Sequence, residues 1–137
     1  MAGMPQFYAP HPIRTQRFDI NSAAVKETMA IATPCELKYF AVTIDNTDAG
    51  GATITLNKIA AGGSSSSVVA TLTIPAANRQ GYMFYEIPST HVTFVPGDRV
   101  SVEVTAESVG ASAYAYGMVV VQQTGEAFAN LTYAVAA

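Results

Sequence analysis

Charge is the scarcest property of this chain: Asp, Glu, Lys and Arg make up 12% of its 137 residues, about half the share in an ordinary soluble domain. So little charge cannot cover the surface of an isolated globule comfortably. Part of the apolar excess, 50% of the residues, is therefore expected to lie against other subunits. The seven basic residues are scattered from Arg14 to Arg99 and the net charge is −3, so no basic stripe could follow phosphates and nucleic acid is not an expected partner. There is one cysteine, Cys35, which excludes an internal disulfide and reads as a small buried hydrophobe. No apolar run reaches the length of a membrane span, and the first residues lack the charged and apolar regions of a leader. Neither a membrane nor secretion is expected.

What the chain has instead is short β-type segments. Val100-Ser-Val-Glu-Val-Thr105 and Val68-Val-Ala-Thr-Leu-Thr-Ile74 alternate apolar with polar residues, and no segment sustains an apolar period of 3.6. Strands are predicted over Ile13–Ile20, Val25–Thr33, Glu36–Asp45, Ala52–Ile59, Val68–Ile74, Tyr82–Ile87, Asp98–Ala106 and Ser112–Gln123. Of these, Val25 to Ile31 also suits a short helix. The separators carry Gly, Pro, Asn, Asp and Ser, as in Asp45-Asn-Thr-Asp-Ala-Gly-Gly51 and Ala60-Ala-Gly-Gly-Ser-Ser-Ser-Ser67, the residues that build turns and loop tips. About eight strands with this punctuation predict an all-β, antiparallel, jelly-roll-like sandwich. One domain over residues 13–137, preceded by an extended N-terminal arm over residues 1–12, accounts for the length.

The strands are of two kinds. Val100, Val102 and Val104 alternate with polar residues, whereas Leu37–Ile44 and Tyr114–Val121 are apolar on both faces. A strand of the second kind is either central and covered by loops or packed outward on another subunit. The arm, with three prolines and the aromatics Phe7 and Tyr8, cannot form a helix or a central strand. The segment after Glu126 is uncharged and carries Phe128 and Tyr133; it suits a further strand at a sheet edge or an exchanged contact.

Chemistry-bearing residues are sparse. His11 and His91 have no metal-ligand spacing, and with Cys35 they number too few for structural zinc. Asp45 and Asp48 invite calcium, but the EF-hand spacing is missing because Leu56 stands at the twelfth position. No nucleophile-elbow sequence supports a hydrolase built on Cys35 or a serine. No cofactor, metal or catalytic residue is expected. Carbohydrate binding competes more seriously, since Tyr82, Phe84 and Tyr85 form one cluster and Tyr114 and Tyr116 another. Their neighbours Met118 and Val120 favour packing over a sugar platform.

Ala52–Lys58, Val69–Pro75, Phe94-Val-Pro-Gly-Asp-Arg-Val-Ser-Val-Glu-Val-Thr105 and Tyr114–Val121 together resemble the β-sandwich modules of tailed-bacteriophage head decoration (cement) proteins and head or tail fibres. The likeness spans residues 36–123. It implies a non-enzymatic protein, made in the host cytoplasm, that binds the outer surface of the capsid as a homo-oligomer, a trimer by the family pattern. Its partners are then the major capsid protein and itself. Phe7, Tyr8, Phe128 and Tyr133 are the candidate capsid or subunit contacts. The alternative is a receptor- or carbohydrate-binding module of a phage fibre or bacterial surface protein.

Overall fold

The computed structural model describes residues 9–46, 51–76, 80–108 and 113–125. Their strands are β1 (His11–Arg14), β2 (Phe18–Asp19), β3 (Ala24–Ala30), β4 (Cys35–Asn46), β5 (Ala52–Ile59), β6 (Ser66–Ile74), β7 (Met83–Glu86), β8 (Thr93–Phe94), β9 (Arg99–Ala106) and β10 (Tyr114–Gln123). All pair antiparallel, in two sheets. The first has the order β1-β10-β4-β7, with β2 also on β10 and β8 also on β4; the second has the order β3-β9-β5-β6.

The ten strands reduce to the expected eight. If β1 with β2, and β7 with β8, are each taken as one interrupted strand, the sheets read 1-8-3-6 and 2-7-4-5, which is jelly-roll order. Both interruptions have local causes. Arg14 faces Met118 and Phe18 faces Ala115, so the first strand carries one residue more than β10 across the gap. Thr15, buried there, donates its N–H to the Gly117 carbonyl at 3.0 Å and accepts the Gly117 N–H on its hydroxyl at 2.8 Å. Between β7 and β8 the chain passes through Pro88, which has no N–H to offer a ladder. Pairing resumes where the Leu37 N–H reaches the Val92 carbonyl at 2.9 Å.

Other boundaries moved slightly. β3 is a strand and stops at Ala30, because Gly97 and Asp98 take over the backbone of Ile31. Ser66 and Ser67 belong to β6, opposite Ile59 and Lys58, instead of to the serine loop. His11 and Pro12, read from sequence as the end of the arm, open β1 at the sheet edge, where a proline's missing donor faces no neighbour.

The core lies between the sheets. Phe40, Ile44 and Val119 from the first meet Ile54, Leu56, Val100, Val102 and Val104 from the second, with Phe94 closing one end. Each such side chain contributes roughly 1.5–3 kcal/mol by leaving water. That same end is organised by Pro96-Gly97-Asp98. Gly97 has φ +96°, a left-handed conformation that favours glycine. The buried Asp98 carboxylate accepts the N–H groups of Val95 at 2.9 Å and Ala61 at 3.0 Å, with the Lys58 ammonium 3.8 Å away. The motif that carried the family resemblance is thus a structural clasp joining two loops.

Candidate interaction surface

β4 and β10 occupy the middle of the first sheet, which accounts for one of their apolar faces. Their other face points away from the sandwich. Register places Tyr116 beside Thr43, Met118 beside Ala41 and Val120 beside Tyr39, while β7 adds Met83 beside Thr43 and Tyr85 beside Ala41. Tyr116 is 43% exposed, Met83 52% and Tyr85 61%. These three side chains are open to solvent, whereas Ala41 and Val120 between them are buried, and a groove of about 350 Å³ runs beside Arg14, Thr43, Met83 and Tyr116.

Ionic clusters bound this face along the strands. At one end Arg17 pairs with Asp45 at 2.8 Å and lays its guanidinium 3.9 Å from the centre of the Tyr114 ring, a cation–π contact. At the other, Glu36 lies 2.8 Å from the Lys38 ammonium and 3.3 Å from His91. The hydrogen bond from Lys38 holds the Glu36 carboxyl below its ordinary range; desolvation opposes this, and the charges of Lys38 and His91 add to it. An apolar centre within a polar rim is the anatomy of a protein–protein contact patch.

The outer face of the second sheet differs. It exposes Thr71 and Thr73 together with Val25 and Val68, while Thr55, Asn57 and Ser101 are buried on it, with Asn57 donating to Glu103 at 2.8 Å. The exposed aromatic and Met side chains Tyr116, Met83 and Tyr85 lie on the first sheet, and the exposed valines Val25 and Val68 on the second.

The predicted tyrosine clusters divide differently in three dimensions. Phe84 turns toward the core and stacks with Tyr82 at 6.3 Å, whereas Tyr85 points outward against Tyr39 at 6.1 Å. Tyr82, Phe84 and Tyr85 therefore form no single platform, because successive residues of a strand face opposite sides. Met83 is a surface residue that sequence reasoning missed, and Tyr85 was read only as part of a tyrosine cluster. The available signal was the doubly apolar character of the strands beside them.

Phe7, Tyr8, Phe128 and Tyr133 lie outside the described residues. The attachment points of their segments are described. His11 stands opposite Val121 on adjacent strands, so the chain enters β1 and leaves β10 at one end of the sandwich. Cys35 is 1% exposed, and burial, with a smaller contribution from the Asp98 charge, pushes its thiol up to about 11, against nucleophilic use. Of the loop considered for calcium, Asp48 lies outside the described residues and Asp45 is engaged by Arg17. Among the described residues no group of three His, Cys, Asp or Glu converges.

No protein-family model matches the chain, and no curated protein matches it. Several solved structures are similar in shape, three of them as follows. One is a protein from a study of Bacillus endospore appendages, described as a novel family of disulfide-linked pili, with 16% identity, TM-score 0.44 and coverage of 91% of this chain and 96% of that one. Another is the SPBc2 prophage-derived protein YomS, with 13% identity, TM-score 0.39 and coverage of 80% and 95%. The third comes from the infectious bursal disease virus Gx strain, with 13% identity, TM-score 0.43, and coverage of 85% of this chain but 33% of that one. At these TM-scores the likenesses are too distant to transfer a role.

Proposed function

We propose that this protein is a non-enzymatic structural protein of a phage virion, a decoration protein that binds the outer surface of the assembled capsid as a homo-oligomer. The observation that carries the reading is the exposure of Tyr116, Met83 and Tyr85 on the outer side of the first sheet, within its ionic rim. A lone monomer seldom keeps such a face exposed. The jelly-roll order agrees with this reading, since viral capsid proteins use that architecture widely, as does the poverty of charge over the whole chain.

The physical action is mass action. A protein that binds the assembled shell and not its separated subunits stabilises the shell by RT ln(1 + [L]/Kd), and several linked contacts raise the effective concentration of each. In this reading Phe7, Tyr8, Phe128 and Tyr133 contact the major capsid protein, leaving the sheet face for self-association. The test adds purified protein to capsids that lack it and follows rupture temperature and retention. The full chain raises the rupture temperature, while a variant without residues 1–10 and 126–137 washes off. Capsids that rupture at an unchanged temperature with full-length protein present refute the assignment.

A carbohydrate-binding module is the second reading, favoured by the outward Tyr85 and Tyr116 rings, whose planes could stack on sugars. It predicts saturable glycan binding that Tyr85→Ala abolishes.

A further inference from the structure

Exposed apolar side chains gather on one sheet edge. Of the eight large hydrophobic residues left exposed among the described residues, four, Tyr82, Met83, Tyr85 and Ile87, lie on β7 and its immediate flanks. β7 ends the first sheet, beyond β4. The other edge strands are guarded or mainly polar. β1 carries Pro12 and Arg14, β3 carries Lys26 and Glu27, and β6 exposes Ser66, Ser67, Thr71 and Thr73 beside Val68. An apolar edge with nothing to blunt it is a template for another strand.

Register fixes which backbone groups lie on that edge. The Ile44 N–H donates to the Tyr82 carbonyl at 2.9 Å, in line with the pairs of Val42 with Phe84 and Phe40 with Glu86. Hydrogen-bonded pairs alternate along an antiparallel ladder. Phe84 and Glu86 therefore turn their N–H and C=O groups to β4, while Met83 and Tyr85 turn theirs outward, to the open edge. The side chains of Met83 and Tyr85 stand on the outer face, beside Thr43 and Ala41, and Ile87, 66% exposed, continues their row at the same spacing.

We infer that two copies of this chain pair edge to edge through β7, antiparallel, about a two-fold axis that stands perpendicular to the sheet beside Tyr85. The inference rests on the self-association in the proposed function, to which it gives a form. Tyr85 then faces Tyr85 of the other copy and the two exchange both of their N–H···O bonds, while Met83 faces Ile87 of the other copy, and Ile87 its Met83. An isologous contact requires this reciprocity. The row of Met83, Tyr85 and Ile87 is apolar on both sides of the axis, so it meets its own reverse without a mismatch, with an aromatic cross-strand pair at the centre. All three side chains are exposed in the single chain, so no buried group has to open. The charge on β7, Glu86, falls opposite Phe84 and not opposite its own copy. The joined sheet ends at both sides on β1, where Pro12 and Arg14 blunt further addition, and the pair is closed.

The pairing predicts an even-numbered assembly in place of the threefold closure implied by the family resemblance. Light scattering on the full chain, without capsids, gives a mass of two chains or an even multiple; a mass of one or three chains overturns the inference. Tyr85→Lys and Tyr85→Glu each halve the mass, because each sets like charges opposite one another at the axis. Mixing these two variants restores the original mass, since Lys then faces Glu. Variants that stay paired, or a mixture that stays dissociated, overturn the pairing. Tyr85→Pro also halves the mass with an unchanged circular dichroism spectrum, because the N–H it removes points away from β4; if it unfolds the chain, the charge variants decide alone. Tyr116→Glu, on β10, leaves the mass unchanged, and dissociation there would move the contact to the middle of the sheet and overturn the edge pairing. Capsids that rupture at an unchanged temperature in the presence of a chain that dimerises would refute the decoration role and leave the pairing standing.

Discussion

Asp98 accepts the backbone N–H of Ala61 at 3.0 Å across 37 positions of sequence. With the bond from Val95 N–H, it joins the loop after β5 to the turn before β9. The carboxylate is 3% exposed, so these charge-assisted bonds are made away from competing water.

Asp98→Ala leaves two backbone donors without their acceptor. A fully buried stranded donor costs about 1–3 kcal/mol; because Ala61 and Val95 are exposed and water reaches their N–H groups in part, the variant should lose about 1–2 kcal/mol of unfolding free energy, measured as a lower urea midpoint. Asp98→Asn should lose less, because the amide oxygen can still accept one bond. A midpoint unchanged in Asp98→Ala would show that water replaces the clasp at no cost.

Gly97→Ala should destabilise by about 1–2 kcal/mol, the cost of a left-handed conformation for an L-residue. A methyl there would also stand 3.2 Å from the Ala61 Cβ. Gly62, with φ +74° but nothing within 4 Å, should show the conformational cost alone. Equal losses at the two sites would remove the steric contribution at Gly97.

Gly117→Ala tests the break in the first strand. Its Cβ would approach the Thr15 Cγ2 to 3.0 Å, where Thr15 is buried and bonded to the Gly117 amide and carbonyl. Overpacking of this kind costs about 1–3 kcal/mol. Thr15→Ser removes the opposing methyl, so adding it to Gly117→Ala should recover part of the loss. A double variant no more stable than Gly117→Ala would locate the strain elsewhere.

Cys35 gives stability a pH dependence on the alkaline side. Its thiol is raised from 9.0 to about 11 in the folded protein, so the native state holds the proton more tightly than the unfolded state. This contribution is complete below pH 9 and disappears as pH rises toward 11, about 2–3 kcal/mol in all. Unfolding free energy should therefore fall more steeply between pH 9 and 11 in the parent than in Cys35→Ala. Parallel curves would mean that Cys35 ionises freely in the folded chain. A thiol reagent at pH 7.5 should label the native protein far more slowly than the unfolded one.

Much of the fold was legible because alternation is a local signal. Val100, Val102 and Val104 must share a side once the chain is extended, and Pro96-Gly97-Asp98 marks a turn wherever it lies. The short pieces β2 and β8 were not legible as separate strands. Their breaks depend on Thr15 meeting Gly117 and on Val92 meeting Leu37, contacts between residues far apart in sequence. The interaction surface was half legible. The strands 37–44 and 114–121 are apolar on both faces in sequence, but the outward turn of Met83 and Tyr85 depends on their register against Thr43 and Ala41.

Composition and periodicity alone therefore determined an all-β chain short of charge, with strands near their observed places. Only the tertiary structure decided the 1-8-3-6 and 2-7-4-5 order and the outward placing of Tyr116, Met83 and Tyr85 on the first sheet. The reason is physical: a strand's alternation says which residues share a face, whereas its neighbours, and so the shape that face presents, are chosen by long-range pairing.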